Sequence, residues 1–151
     1  MEYQVDYQEE TPDNYLIQSI LSYEFYKGFE IGTGANFKSF GGFKPLISLT
    51  YSKFGRNLGF VIQSSYELSK DGIGEIFGLF QWNPQNEKLI QPYLSIQALT
   101  AFKDRHVYSY QYLWLGAQIK SFQFGPALNI EQVGSDYETQ MNIGIFLNIN
   151  I

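Results

Sequence analysis

Cysteine is absent from the 151 residues, so no disulfide framework, cysteine-based zinc site or thiol nucleophile can be built. Charge is scarce and leans acidic. There are 10 Lys plus Arg against 15 Asp plus Glu, and charged residues make up 17% of the chain, where soluble domains carry roughly 25%. Without a basic excess there is nothing to neutralise a run of phosphates, which excludes a nucleic-acid partner. No apolar run approaches the ~18 residues a membrane helix needs. The opening Met1-Glu2-Tyr3-Gln4 has no basic start and no apolar stretch behind it, so no signal peptide is read and an exported chain is expected here in its mature form.

What is abundant is aromatic and small. The chain holds 12 Tyr, 13 Phe, 2 Trp and 14 Gly. Its dominant pattern is period-two alternation, which places successive side chains on opposite faces of a strand. In the last segment Tyr137, Thr139, Met141, Ile143, Ile145, Leu147, Ile149 and Ile151 share one parity, and Glu138, Gln140, Asn142, Gly144, Phe146, Asn148 and Asn150 share the other. Segments starting at Phe29, Leu58, Ile90 and Phe122 repeat the pattern, and those from Tyr15 to Tyr26 and Phe43 to Phe54 follow it less cleanly. Gly72 to Trp82 is apolar on both parities, which suggests a bulge that shifts its register.

Turn residues separate these segments at Thr11–Asn14, Ser39–Gly42, Gly55–Asn57, Lys70–Gly72, Asn83–Lys88, Lys103–His106 and Gly134–Asp136. Lys27-Gly28 and Lys120-Ser121 read as two-residue hairpins. Nine strands follow from Tyr15 onward, and the alternation of Tyr3, Val5 and Tyr7 makes Glu2 to Gln8 a tenth. Pro45, Pro92 and Pro126 lie within a few residues of strand beginnings, where a missing donor is best tolerated. The expected fold is all-β: one domain, residues 1–151, forming an up-and-down antiparallel transmembrane β-barrel of about ten strands, with eight as the alternative.

The faces decide which way round such a barrel stands. The apolar face is nearly free of charge. The opposite face carries Gly, Ser, Gln, Asn and Ala, which solubilise poorly but suit a narrow lumen. Most charges fall at turns, consistent with a cost of ~2–4 kcal/mol for a basic residue at the lipid midplane. Tyr23, Phe25, Phe37, Phe54, Tyr66, Trp82, Phe102, Tyr108, Tyr110, Phe122 and Tyr137 cluster near strand ends as two aromatic girdles.

On these residues the chain resembles a small Gram-negative outer-membrane β-barrel of the OmpX-like and OmpW-like kind. Asn83-Pro84-Gln85-Asn86-Glu87-Lys88-Leu89-Ile90-Gln91-Pro92-Tyr93-Leu94 and Phe54-Gly55-Arg56-Asn57-Leu58-Gly59-Phe60 are similar to the periplasmic turns of such barrels. The alternating last strand resembles their assembly signal, although that family usually ends in Phe and this chain ends in Ile151. The short loops at the presumed outer end fit a trimmed or designed version. The resemblance implies an outer-membrane location, a bilayer or detergent as partner, and a monomer.

Lumen-lining candidates are Glu24, Glu30, Asn36, Lys38, Gln63 and Glu67 from the first half of the chain. Gln97, Asn129, Glu131, Gln140 and Asn142 complete them. Their acidic excess favours small cations if the lumen is open, and mutual pairing would plug it. No cofactor or metal is expected, because no spaced calcium-loop or zinc pattern occurs. The lone histidine, His106, reads as a solvated turn residue, with Ser109 three positions on and therefore on the opposite face of a strand. The expected function is a non-enzymatic barrel, either a narrow pore or a plugged wall. The alternative is a soluble barrel of the lipocalin or fatty-acid-binding kind around a small apolar ligand, and a lipid-modifying enzyme is the third reading.

Overall fold

In a computed structural model, residues 16–38, 42–84 and 89–149 are described. They form nine strands: β1 (Leu16–Tyr26), β2 (Phe29–Lys38), β3 (Gly42–Phe54), β4 (Leu58–Glu67), β5 (Gly74–Trp82), β6 (Gln91–Phe102), β7 (His106–Ile119), β8 (Phe122–Val133) and β9 (Glu138–Ile149). Each pairs antiparallel with the next, giving one sheet in the order β1 to β9. The up-and-down order expected from the spacing of the turns is therefore present. Lys27 and Gly28 both take positive φ, as does Lys120, so the two tightest reversals use the left-handed backbone that two-residue hairpins favour.

The ring is not closed among the described residues: β1 pairs with β2 alone and β9 with β8 alone. This departs from the expected closed barrel, and the reason is arithmetic. Nine alternating strands leave β1 and β9 running in the same direction, so the two edges cannot pair antiparallel with each other. The expected tenth strand, Glu2 to Gln8, lies outside the described residues, together with the turn at Thr11–Asn14.

The sheet is nonetheless strongly curled, with its polar face on the inside. Asn36 on β2 bonds Glu67 on β4 across the intervening strand, and the rings of Tyr93 on β6 and Phe146 on β9 approach to 5.7 Å across two. The turn Gly55–Asn57 shares a cavity of about 280 Å³ with Gln81, Tyr93, Gln123 and Asn148. A flat sheet brings none of these pairs together.

Two bulges interrupt the ladders, one between Glu24 and Tyr26 and one between Ala101 and Phe102. The shift expected within Gly72–Trp82 is absent. The β5 ladders to β4 and β6 run without a break, and its second apolar parity, Phe77 and Leu79, faces the interior opposite Gln63 and Val61. An unbroken strand that is apolar on both faces therefore has one apolar row inside the curl and one outside it.

Inside the curl, glycine sets the strand separation. A Cβ on Gly34 would overlap the carbonyl oxygen of Ser19 on β1. Backbone cannot step aside as a side-chain tip does, so Gly34→Ala is expected to cost about 1–3 kcal/mol, read as a lower urea midpoint with an unchanged slope.

Candidate functional site: the polar inner face

Apart from Lys38, whose side chain lies outside the described residues, the lumen candidates fall on the inner rows. Glu24 stands opposite Glu30, Asn36 opposite Lys44, and Lys38 opposite Gly42. Gln63 faces Thr50, Glu67 faces Leu46, and Gln97 faces Tyr112. Asn129 faces Asn142, and Glu131 faces Gln140. They are not equally enclosed. Asn36 and Glu67 are each 1% exposed, whereas Glu24, Gln140 and Asn142, on the two edge strands, are open to solvent.

The two most enclosed candidates, Asn36 and Glu67, belong to a chain of four side chains. Gln18 Nε2 donates to Asn36 Oδ1 at 3.0 Å, and Asn36 Nδ2 donates to Glu67 Oε1 at 2.9 Å. The second carboxylate oxygen faces the Lys44 ammonium at 3.4 Å. An ionised carboxylate in a 1%-exposed position needs such partners, because desolvation without them costs several kcal/mol. This chain ties β1, β2, β3 and β4 together on one side of the interior.

The other side is filled by rings. Tyr110 stacks on Tyr112 at 4.6 Å, and Trp114 stacks on Phe146 at 5.3 Å. The tyrosine hydroxyls are satisfied from within, with Gln97 Nε2 donating to Tyr110 Oη and Tyr112 Oη donating to Glu131 Oε1. At the end carrying the 55–57 turn, an amide network runs from Asn83 through Gln118 and Gln123 to Asn148. Among the described residues no group of three or more His, Asp or Glu is placed to hold a metal.

This corrects the expectation that Tyr108 and Tyr110 belong to a girdle. Both lie on the inner parity of β7, since Tyr108 is opposite Ala101 and Val133, and Tyr110 opposite Leu99 and Glu131. The run Tyr108, Tyr110, Tyr112, Trp114 is a same-parity pattern visible in the sequence. Phe146 likewise sits on the polar parity of β9, and both signalled an interior wide enough for rings.

The outer face carries the remaining aromatics at its two ends. Near the 27–28 and 55–57 turns, Phe25, Phe29, Tyr51 and Phe60 form a continuous ring series with centroid separations of 6.3, 4.4 and 5.4 Å. Phe37, Phe43, Tyr66 and Phe102 are exposed at the opposite end. Between them the outer face is mostly aliphatic, and among the described residues no helix is long and apolar enough to cross a membrane, which says nothing of strands.

At that opposite end, between the 70–72 and 103–105 turns, Lys103 Nζ donates to Asp71 Oδ1 at 2.7 Å. That hydrogen bond and charge hold the Asp71 carboxyl below its ordinary 3.8 and raise the Lys103 ammonium above its ordinary 10.5. A depressed carboxyl contributes stability that is fully present above its unfolded value and lost as pH falls through the folded one, so this contact is expected to persist across neutral and mildly acidic pH. Lys103→Met should move the Asp71 titration, followed by carboxyl-carbon NMR, upward toward the ordinary value.

His106 departs from its expected place. The bulge after Ala101 pairs His106 with Phe102, and its ring reaches round to the outer side, where Nε2 lies 3.1 Å from Ser109 Oγ. The opposite-face assignment fails because strict alternation does not survive a bulge.

Comparison of the chain with family models, with curated proteins and with solved structures returns no match.

Proposed function

We propose that this chain forms the wall of a transmembrane β-barrel of the outer-membrane type with an occluded interior. One observation carries the reading. Among the described residues, thirty-four large apolar side chains are exposed and Leu46, Tyr93 and Ala101 are the buried hydrophobics, while the buried set also includes Asn36, Ser48, Glu67, Ser95, Ser109 and Gln123. Water-soluble domains are arranged the other way, and contiguous apolar surface on this scale calls for a hydrocarbon solvent or a partner. The soluble-binder alternative needs the aliphatic face at the centre of the curl, where polar groups stand instead.

Closure in a bilayer needs every backbone donor and acceptor paired. One further strand, antiparallel to both β1 and β9, meets that need and makes the strand count even. The interior groups favour a plug over a pore: the Glu67 chain fills one side, stacked rings the other, and an amide network crosses one end. The partner is the lipid bilayer, in an outer membrane, and the chain acts there as a monomer.

The purified protein should require detergent, and an unheated sample should run in SDS as a compact band that shifts on boiling. In planar bilayers it should give no stepwise conductance. A chain that stays monomeric in plain buffer and takes up a fluorescent fatty acid contradicts the reading, and discrete channel openings contradict the plug.

A further inference from the structure

The outer face carries scattered single polar residues such as Thr33, Ser64 and Gln111, but four polar side chains fall in one row near the 103–105 and 134–137 turns. Thr100, Ser109, Gln132 and Thr139 are register partners across β6, β7, β8 and β9, so their side chains stand side by side on the apolar side of the wall. In the same place Tyr137, a bulky residue, takes φ +55, and the sheet bulges at Ala101/Phe102. Backbone outliers of this kind persist where surrounding structure enforces them and gather at functional sites.

The side chains there form a hydrogen-bonded series. His106 Nδ1 lies 2.7 Å from the Gly134 carbonyl oxygen. A carbonyl only accepts, so Nδ1 carries the ring hydrogen and Nε2 presents its lone pair, 3.1 Å from Ser109 Oγ. Gln132 closes the other side, with its carboxamide oxygen also 3.1 Å from Ser109 Oγ. Rotating that carboxamide by half a turn exchanges its oxygen for its NH2 group. The Tyr137 ring stacks on His106 at 4.3 Å, and Ser109 is only 3% exposed. An alcohol, a base with a fixed tautomer and a covering ring thus occur together on the face that meets lipid.

We propose that Ser109 and His106 form a hydrolytic dyad for carboxylic esters of membrane amphiphiles, with Tyr137 as its cover. The inference rests on the barrel reading only for where the substrate lies. Gly134 is a positioning residue, holding the imidazole through its carbonyl. When Tyr137 swings aside, Ser109 Oγ forms a bond to the ester carbonyl carbon and its proton passes to His106 Nε2. Negative charge develops on the carbonyl oxygen, within reach of the Gln132 amide NH2. The carbon–oxygen bond to the alcohol then breaks, and the alcohol leaves with the proton from Nε2. Water then adds to the acyl carbonyl carbon and gives a proton to His106 Nε2; the acyl–Oγ bond breaks, Oγ takes that proton, and the carboxylic acid leaves. The sum is ester plus water giving acid plus alcohol, with no other reactant.

The test uses the full chain folded in detergent, with the SDS heat shift as a check of folding for every variant. A fluorescent fluorophosphonate, which reacts with base-activated serines, is expected to label the folded protein and not the boiled one. Ser109→Ala should abolish labelling. His106→Gln should slow it by on the order of 10²–10⁴-fold, the usual worth of a general base. Tyr137→Ala should speed it, and hydrolysis of a short-chain nitrophenyl ester should follow the same order. Absence of labelling in folded wild type and folded Tyr137→Ala alike overturns the proposal, as does labelling that survives Ser109→Ala or is indifferent to His106→Gln. A lost heat shift with labelling intact would instead count against the barrel, so the two readings fail separately.

Discussion

Replacing Glu67 by alanine is expected to cost about 3–5 kcal/mol, the usual penalty for removing one partner of a buried ion pair. The carboxylate is 1% exposed, accepts from Asn36 and faces Lys44. Its removal leaves the Asn36 amide without its acceptor and the Lys44 ammonium without its counter-charge. Three strands beyond β4 lose their tie at once, because Asn36 is in turn held by Gln18 on β1. Glu67→Gln keeps an acceptor for Asn36 and loses only the charge, so it should cost less, about 1–3 kcal/mol. Urea unfolding of detergent-folded protein reads both. A Glu67→Ala variant within about 0.5 kcal/mol of wild type would show that the interior does not depend on this chain of contacts.

Ile145→Arg is expected to cost about 2–4 kcal/mol when the protein is folded into lipid vesicles. Ile145 is 91% exposed, lies midway along β9, and packs against no interior. In a water-soluble sheet an arginine at so exposed a site would be nearly neutral, within about 0.5 kcal/mol. The penalty therefore measures the solvent on the outer face and not the packing around it. The same substitution at Asn142, on the opposite parity of the same strand, should cost less, because that side chain points to the polar interior.

The fold was legible wherever strict alternation ran between clear turns. β2, β4, β6, β8 and β9 combine one aliphatic parity with one small polar parity, and their faces follow directly from period two. Legibility failed where that period breaks or where both faces are apolar. On β5 the second apolar parity, Phe77 and Leu79, suggests a register slip in the sequence, whereas in the structure these residues fill an interior that amides alone do not pack. Strict alternation separates His106 from Ser109, and one bulge brings them together. Closure was not readable from the nine described strands, since edge pairing depends on direction and count and not on the composition of any one strand. The lumen candidates were found because polar residues on one parity of an apolar strand have few other places to go. Their pairing into an enclosed chain on β1–β4, against open positions on β9, depends on curvature that no local pattern encodes.

The most direct measurement is the accessibility of spin labels along β9. With no native cysteine, single cysteines at positions 142, 143, 144, 145, 147 and 148 can each carry one label in the vesicle-folded protein. Labels at 143, 145 and 147 should relax strongly with oxygen, which concentrates in hydrocarbon, and weakly with a water-soluble nickel chelate, while those at 142, 144 and 148 should lack this preference for oxygen. Nickel access at 143, 145 and 147 equal to or above that at the even positions would place the aliphatic face in water and contradict a lipid-facing wall.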